Sequence, residues 1–120
     1  MQVYESLAAR LAANSKPVRI SKTDPATGKR LSCSCRLWTG NLNNAGYPRF
    51  TKRVDGHVVK EYAHRAAFEI ATGKPIPADM TIDHLCVRES CIEPRHLELV
   101  TQEENTRRRT LRIRAEKRAA

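Results

Sequence analysis

The sequence is 120 residues long and carries 22 Lys and Arg against 13 Asp and Glu, which gives a formal net charge of +9. This length accommodates one small domain and excludes two independent cores. The apolar stretches are far shorter than the roughly 20 residues of a membrane span, and the first residues have no signal-peptide pattern. We therefore expect a soluble, cytoplasmic protein. Its basic charge and low aromatic content favour a phosphate backbone as its partner.

The first half of the chain predicts one helix followed by small hairpins. Apolar residues recur at three- and four-residue spacing from Val3 to Ala12, which predicts an amphipathic helix ending near Asn14. Three turn signals separate short β-type runs beyond this helix, at residues 24–28, 41–46 and 55–56. The Asp-Gly pair of the third signal is the strongest, because a two-residue hairpin turn needs positive φ at both positions.

The second half predicts a helix, a strand, a loop, a second strand and a final helix. We expect the first helix over residues 61–72, with His64 on its inner face as a core histidine held by one hydrogen bond. The strands MTID and LELV flank a long irregular loop, DHLCVRESCIEPRH. The final, basic helix is expected from about Thr101, where the segment Thr101 to Glu104 has the form of a capping box.

Side chains suited to phosphodiester hydrolysis are concentrated in this second half. They are, in chain order, Asp83, His84, Cys86, Cys91, His96 and Asn105. Hydrolysis needs a base with a near-neutral pKa, for which His84 is suited, and a hard cation. The carboxylate of Asp83 and the amide oxygen of Asn105 would form an open site suited to Mg²⁺ or Mn²⁺. The plain alternative is that Asp83 and His84 are an ordinary turn pair.

Five strings follow one another from Cys35 onward: CRLWTG, GYPRF, AHRAAFEIATGKPIP, IDHLC and CIEPRHLELVTQEEN. In this order they resemble the small phage-type HNH endonucleases, which are ββα-metal nucleases. The resemblance implies His84 as general base, with Asp83 and Asn105 as ligands of one divalent metal. His96 stands at the central position of the signature, where Asn is common. The last position is His in some members and Asn in others.

The expected fold is α+β, with an N-terminal helix and a small antiparallel hairpin sheet that support a C-terminal ββα-metal unit. We expect one HNH nuclease domain over residues 1–120. Its expected parts are a helix and hairpin extension, a small sheet plus helix, the ββα-metal core and a basic tail, over residues 1–32, 33–78, 79–110 and 111–120. The resemblance also implies a phage or mobile-element protein that acts in a bacterial host.

The cysteines predict a structural zinc site. Four residues separate successive members of the set Cys86, Cys91 and His96, which is enough for loop groups to converge on one ion. Cys35 is the best fourth ligand, because it aligns with the cysteine before Leu-Trp in related phage sequences, and Cys33 has no such counterpart. A zinc ion would staple a small core. The alternative is that the thiols are small buried apolar groups and that His96 hydrogen-bonds the loop or orients His84.

The final helix is strongly basic, and we expect it to contact DNA phosphates, with binding that weakens steeply as salt rises. The candidate contacts are Arg65, Arg107, Arg108, Arg109 and Arg112, of which Arg108 or Arg109 would clamp a phosphate. Four cations of the predicted hairpin could extend this track: Arg49, Lys52, Arg53 and Lys60. Three aromatic residues are expected in the core of the small sheet rather than on nucleic-acid bases: Trp38, Tyr47 and Phe50.

Together these features predict a metal-dependent DNA endonuclease that uses one catalytic ion and a histidine base. The main alternative is a zinc-stapled DNA-binding module that keeps the scaffold but does not cut. A ribonuclease or ribosome-associated protein is a third possibility, which a preference for RNA over duplex DNA would reveal. The sequence leaves open whether the protein is a monomer or a homodimer, and whether it cuts one strand or both.

Overall fold

The computed structural model describes residues 6–119, and over this range the chain forms three α-helices and eight short strands. The helices are α1 (Leu7–Ala13), α2 (Ala63–Thr72) and α3 (Gln102–Ala119). The strands are β1 (Ser15–Val18), β2 (Lys22–Thr23), β3 (Arg30–Leu31), β4 (Cys35–Trp38), β5 (Arg49–Val54), β6 (His57–Tyr62), β7 (Met80–His84) and β8 (Leu97–Thr101). A 3₁₀ turn, Pro94–His96, precedes β8. The predicted α+β class is confirmed.

The strands form four antiparallel two-stranded ribbons in the described chain, rather than one small sheet. The pairs are β1 with β4, β2 with β3, β5 with β6, and β7 with β8. The predicted turn at 55–56 joins β5 to β6, and Asp55 and Gly56 have the positive φ angles, 50° and 81°, that this turn requires. The turn signal at 24–28 likewise joins β2 to β3.

The first two helices lie close to their predicted positions. The side chain of Ser6 caps α1 by accepting a hydrogen bond from the backbone of Ala9, and the helix ends at Ala13. The predicted start at Val3 lies outside the described residues. Helix α2 begins two residues later than expected, because residues 61–62 complete the pairing of β6 with β5. It ends at Gly73, whose φ of 70° suits a left-handed cap.

Helix α3 begins where the capping motif predicted. The Oγ1 of Thr101 accepts a hydrogen bond from the backbone N–H of Glu104 at 3.1 Å. The carboxylate of Glu104 binds Arg107 and Arg108 instead of closing the reciprocal half of the capping box. The helix continues to Ala119, so it includes the expected basic tail as far as the structure describes it.

Two buried clusters form the core of the described chain. The first includes Trp38 and Phe50, whose ring centroids lie 6.2 Å apart, as expected for the small core of the N-terminal half. The second consists of Leu31, Cys35, Leu85, Cys86 and Cys91. Tyr47 was expected beside Trp38, but it is half-buried and packs against His64 and His84 instead. Of the helices described here, none combines the length and apolar character required to cross a bilayer.

Candidate active site and metal cluster

Asp83, His84 and Asn105 border one cleft of about 550 Å³. The first two residues end β7, and Asn105 lies in the first turn of α3, which packs against β7. Consecutive strand residues point to opposite faces of a regular ribbon. Both residues can border the same cleft because the chain turns immediately after His84, at the end of the strand. The structure therefore brings together the three residues that the sequence proposed as a catalytic set.

His84 is held in one orientation by the loop that follows it. Its Nε2 lies 3.1 Å from the backbone carbonyl oxygen of Cys91, which accepts a hydrogen bond, so Nε2 is the donor. Its Nδ1 then carries the lone pair of the neutral ring. Burial lowers the pKa of His84, and the Cys91 carbonyl and the charges of Glu89 and Asp83 only partly oppose this effect. The imidazole is therefore neutral at neutral pH, which is the form that a general base requires.

Asp83 is buried and bound by two guanidinium groups. Arg112 donates to its Oδ1 at 2.7 Å and to its Oδ2 at 2.9 Å, and Arg108 donates to Oδ2 at 3.0 Å. Burial favours the neutral acid, but the hydrogen bonds from Arg112 and Arg108 outweigh it and lower the pKa of Asp83. The side chain is therefore an ionised carboxylate. Since a carboxylate offers about four acceptor positions, these three donors leave one position, on Oδ1.

This donor set fits a hard divalent cation. The free position on Oδ1 of Asp83 and the amide oxygen of Asn105 are oxygen ligands of the kind that Mg²⁺ and Mn²⁺ prefer. Two protein ligands leave the other coordination positions to water and to phosphate oxygens. The neighbouring guanidinium groups offset the charge of the carboxylate, so an added anionic ligand would favour binding of the cation.

The five arginines predicted to contact DNA have different environments. Arg107 pairs with Glu104, and Arg108, which is 8 % exposed, binds carboxylates on three sides. Arg112 joins Asp83 to the buried Asp24. Arg65 lines a separate groove on α2, whereas Arg109 borders the cleft of Asp83, His84 and Asn105 and makes no ion pair within residues 6–119. Arg109 is thus the best placed of the five to meet a phosphate in the cleft.

A group of aromatic rings forms the wall behind His84. The ring of His64 lies 4.9 Å from that of His84, 5.5 Å from Tyr47 and 5.6 Å from Tyr62, measured between centroids. His64 lies in the core as predicted, but the expected hydrogen bond is missing at Nδ1, which has no partner in the described chain. Burial lowers the pKa of His64 to about 3, and the charges of His84 and Arg65 act in the same direction.

A buried group of possible metal ligands consists of Cys35, Cys86, Cys91 and His96. Their possible ligand atoms all lie within 4.8 Å of one another. Cys35 lies on β4, the other two cysteines lie in the loop after β7, and His96 ends the 3₁₀ turn. Three thiols and one imidazole are the donor set of a closed tetrahedral zinc site. All three thiols are free of disulfide bonds. The cluster therefore fits the structural zinc that the sequence predicted, with the same four residues.

Cys33 also contacts His96. The Nδ1 of His96 faces Cys35 at 3.4 Å and Cys91 at 3.7 Å, whereas its Nε2 lies 3.1 Å from the Sγ of Cys33. Zinc held through Nδ1 would leave Nε2–H to donate to Cys33, a half-exposed residue. The sequence indicated no partner for this cysteine. His96 thus contacts sulfur atoms on both sides of its ring, and the loop is tied to His84 by the carbonyl of Cys91.

Residues 61–107 match the family model described as HNH endonuclease. This segment belongs to the HNH endonuclease family. The chain is also 36% identical over 72 residues to Protein 7.7 of Escherichia phage T7, an alignment that covers 60% of this chain and 52% of that protein. The chain thus spans about half the length of this curated relative. No solved structure matches the chain.

The HNH match covers Asp83, His84 and Asn105, which border the candidate cleft, and both ends of the loop that carries the cysteines. Asp24, Cys35, Tyr47 and Arg112 lie outside the matched segment. Sequence reasoning missed the contacts of Asp24, Tyr47 and Arg112 with the site. The sequence features that came closest to indicating these contacts were the turn pattern around Asp24 and the basic residues of the last helix.

Proposed function

We propose that this protein is a DNA endonuclease that hydrolyses phosphodiester bonds with one divalent cation and His84 as general base. The observation that carries the proposal is the cleft shared by Asp83, His84 and Asn105, all three of which lie in the HNH segment. A neutral imidazole, an ionised carboxylate and an amide oxygen are the groups that one-metal hydrolysis needs. In this proposal the cleft accepts one backbone phosphate.

His84 would act through Nδ1. The carbonyl of Cys91 holds the proton on Nε2, so that Nδ1 has a lone pair ready to take a proton from the attacking water. The rings of His64 and Tyr47 pack against the imidazole and limit its rotation. The expected products, with 5′-phosphate and 3′-hydroxyl ends, follow the pattern of the family.

Asp83 and Asn105 would hold the cation, and Arg109 would contact the phosphate. When bound, Mg²⁺ or Mn²⁺ would neutralise the charge that develops on the phosphoryl and leaving oxygens. Arg108 and Arg112 keep Asp83 ionised and fix its carboxylate. A zinc ion on the Cys35, Cys86, Cys91 and His96 cluster would be structural. It would hold the loop whose carbonyl orients His84.

One observation favours the alternative, a DNA-binding module that does not cut. Two guanidinium groups occupy three of the acceptor positions of Asp83, so a cation would have to bind close to two fixed positive charges. In a module of this kind the arginines would be permanent partners of Asp83 and the cleft would only bind phosphate. The two accounts differ in whether any metal-dependent cleavage exists.

Cleavage of supercoiled plasmid by purified protein, with and without Mg²⁺ or Mn²⁺, tests the proposal. We expect metal-dependent nicking or linearisation by the wild type and a loss of at least about 100-fold in His84→Ala, in keeping with the usual contribution of a general base. His84→Ala should still bind DNA in a gel-shift assay. His57→Ala is the matched control, because His57 is exposed at the start of β6.

The other outcomes separate the rival functions. Binding without cleavage by the wild type, in either metal, would favour the non-cutting module. Faster cleavage of a structured RNA than of duplex DNA would favour the ribonuclease. Equal activity in His84→Ala and His57→Ala would refute the assignment of the base.

A further inference from the structure

A second groove, of about 460 Å³, lies between α1, the segment that follows β4 and the β5–β6 ribbon. Three cationic side chains line it: Arg10, Arg49 and Lys60. Within residues 6–119, no carboxylate lines the groove and none of the three cations makes an ion pair. The buried arginines of α3, in contrast, are paired with carboxylates. The groove is therefore a local concentration of uncompensated positive charge.

One of these cations is held in place by an aromatic ring. The guanidinium carbon of Arg10 lies 5.0 Å from the centroid of Phe50, a buried residue of the first core cluster. Such a contact stabilises the cation and restricts its motion. Arg10 thus comes from α1 and Arg49 and Lys60 from the ribbon, so elements from two parts of the fold converge on the groove. Like charges that converge without a counter-charge favour a polyanionic ligand.

The groove and the catalytic cleft are neighbours. Leu42 lines the groove and Ala45 lines the cleft, and residues three positions apart in a chain are separated by at most about 11 Å. Arg49 pairs in register with Tyr62, whose hydroxyl binds Asn43 and whose ring lies 6.4 Å from that of Tyr47 in the cleft. The two depressions therefore adjoin along residues 42–45.

We propose that this groove binds a backbone phosphate of the DNA a few base pairs away from the phosphate in the catalytic cleft. A duplex rises about 3.4 Å per base pair, so two rims at most about 11 Å apart lie within the span of about three base pairs. The inference rests on the proposed function, because it extends the path of the same substrate. Arg10, Arg49 and Lys60 all lie outside the segment that matches the HNH family.

The test compares two double variants with the same change in net charge. The groove variant is Arg49→Gln with Lys60→Gln. The matched control is Lys52→Gln with Arg53→Gln, on the same ribbon but outside the groove, where Lys52 pairs with Glu61 at 2.8 Å. Both are made in the His84→Ala protein, so that cleavage does not disturb binding. Duplex affinity is measured by fluorescence anisotropy over a series of salt concentrations.

We expect the groove variant to bind a 20-base-pair duplex at least about 10-fold more weakly at low salt. The slope of log affinity against log salt should fall by about 0.9 for each phosphate that the groove no longer neutralises. The control should keep the slope of its parent. Equal slopes for the two double variants would overturn the proposal, and circular dichroism checks that both fold.

A second measurement distinguishes this inference from the proposed function. In the catalytically intact background, the groove substitutions should raise KM on long duplexes and leave kcat unchanged, because they act on binding away from the reacting phosphate. On duplexes that end at the cut site, the variant and the wild type should be cleaved equally. A lower kcat on both substrates would refute a separate groove. Absence of cleavage in the wild type would refute the nuclease function, and the binding slopes would still test the groove.

Discussion

Arg112 and Asp83 form a bidentate ion pair in which Nη1 donates to Oδ1 at 2.7 Å and Nη2 donates to Oδ2 at 2.9 Å. The same guanidinium donates to both carboxylate oxygens of Asp24, each at 2.9 Å. Asp24 is fully buried, in the turn between β2 and β3. Arg112 and Asp24, which position the candidate metal ligand Asp83, both lie outside the HNH segment. The turn of the β2–β3 ribbon therefore supports the site directly.

Loss of Arg112 should destabilise the protein. Arg112→Leu would leave Asp24 and Asp83 buried with one counter-charge fewer, and breaking a buried pair in this way costs about 3–5 kcal/mol. Urea denaturation followed by circular dichroism measures the free energy of unfolding. The matched control is Arg114→Leu, an exposed position of the same helix, which should change this energy by less than about 0.5 kcal/mol. Equal effects at the two positions would contradict the buried network.

Asp24 should make the protein sensitive to strong acid. Burial opposes ionisation of Asp24, but hydrogen bonds from Arg112, Thr27 and the backbone of Ala26 outweigh it and lower its pKa from 3.8 to about 2. Because the pKa of Asp24 is lower in the folded than in the unfolded state, the ionised side chain stabilises the folded protein by about 2 kcal/mol above pH 4. This stabilisation is lost as pH falls from about 4 to 2. Asp24→Asn should be less stable than the wild type at pH 7 and should lose less stability across that window. Parallel curves of unfolding free energy against pH would contradict this expectation.

His64 should cause a separate loss of stability at milder pH. Its pKa is about 3 in the folded protein and 6.5 in the reference state, so the folded state excludes a proton that the unfolded state binds. His64 leaves the free energy of unfolding unchanged above about pH 6.5. As pH decreases towards 3, it lowers this free energy by up to about 1.4 kcal/mol per pH unit. His64→Phe, which keeps a ring beside Tyr47, should remove this slope between pH 6 and 4. His57→Phe, at an exposed position, should retain it, and retention in both variants would contradict the assignment.

The cysteines should differ in reactivity when zinc is bound. Alkylation of the zinc-loaded protein followed by peptide mass spectrometry should modify only Cys33, which is half-exposed, and a strong chelator should expose the other three thiols. Cys91→Ser should lower zinc affinity far more than Cys33→Ser. Cys33→Ala removes the sulfur atom that contacts Nε2 of His96. This variant should weaken zinc binding by about 10-fold or more. Protection of Cys33 by zinc would instead identify it as a ligand.

Local sequence signals predicted most of the secondary structure. The turn at residues 55–56 is encoded by Asp-Gly, and the start of α3 by the Thr101 cap, because each depends on atoms a few residues apart. The cysteine and histidine spacing, with the resemblance to HNH endonucleases, named the four residues that the fold brings into one buried cluster. These predictions concern short-range geometry and ligand chemistry, which the sequence displays directly.

The sequence patterns did not predict the contacts between residues that are distant in the chain. In a basic helix Arg112 has the pattern of a phosphate contact, and nothing in its neighbourhood points to Asp24, which lies 88 residues away in the chain. Tyr47 similarly has the composition of a core aromatic residue, although the loop after β4 carries it to the wall of the cleft. Sequence patterns describe the faces of single elements, and they do not specify which distant elements pack together.

The sequence by itself determined the α+β class and the main turns and caps, and it named the residues of the proposed catalytic set and of the buried Cys/His cluster. Only the tertiary structure decided which arginines are paired with carboxylates and which are not, where Cys33 and Tyr47 lie, and how the basic groove adjoins the cleft. The physical reason is that a charged side chain has the same local sequence signature in water and in a buried ion pair. Its role depends on the partner that folding brings to it.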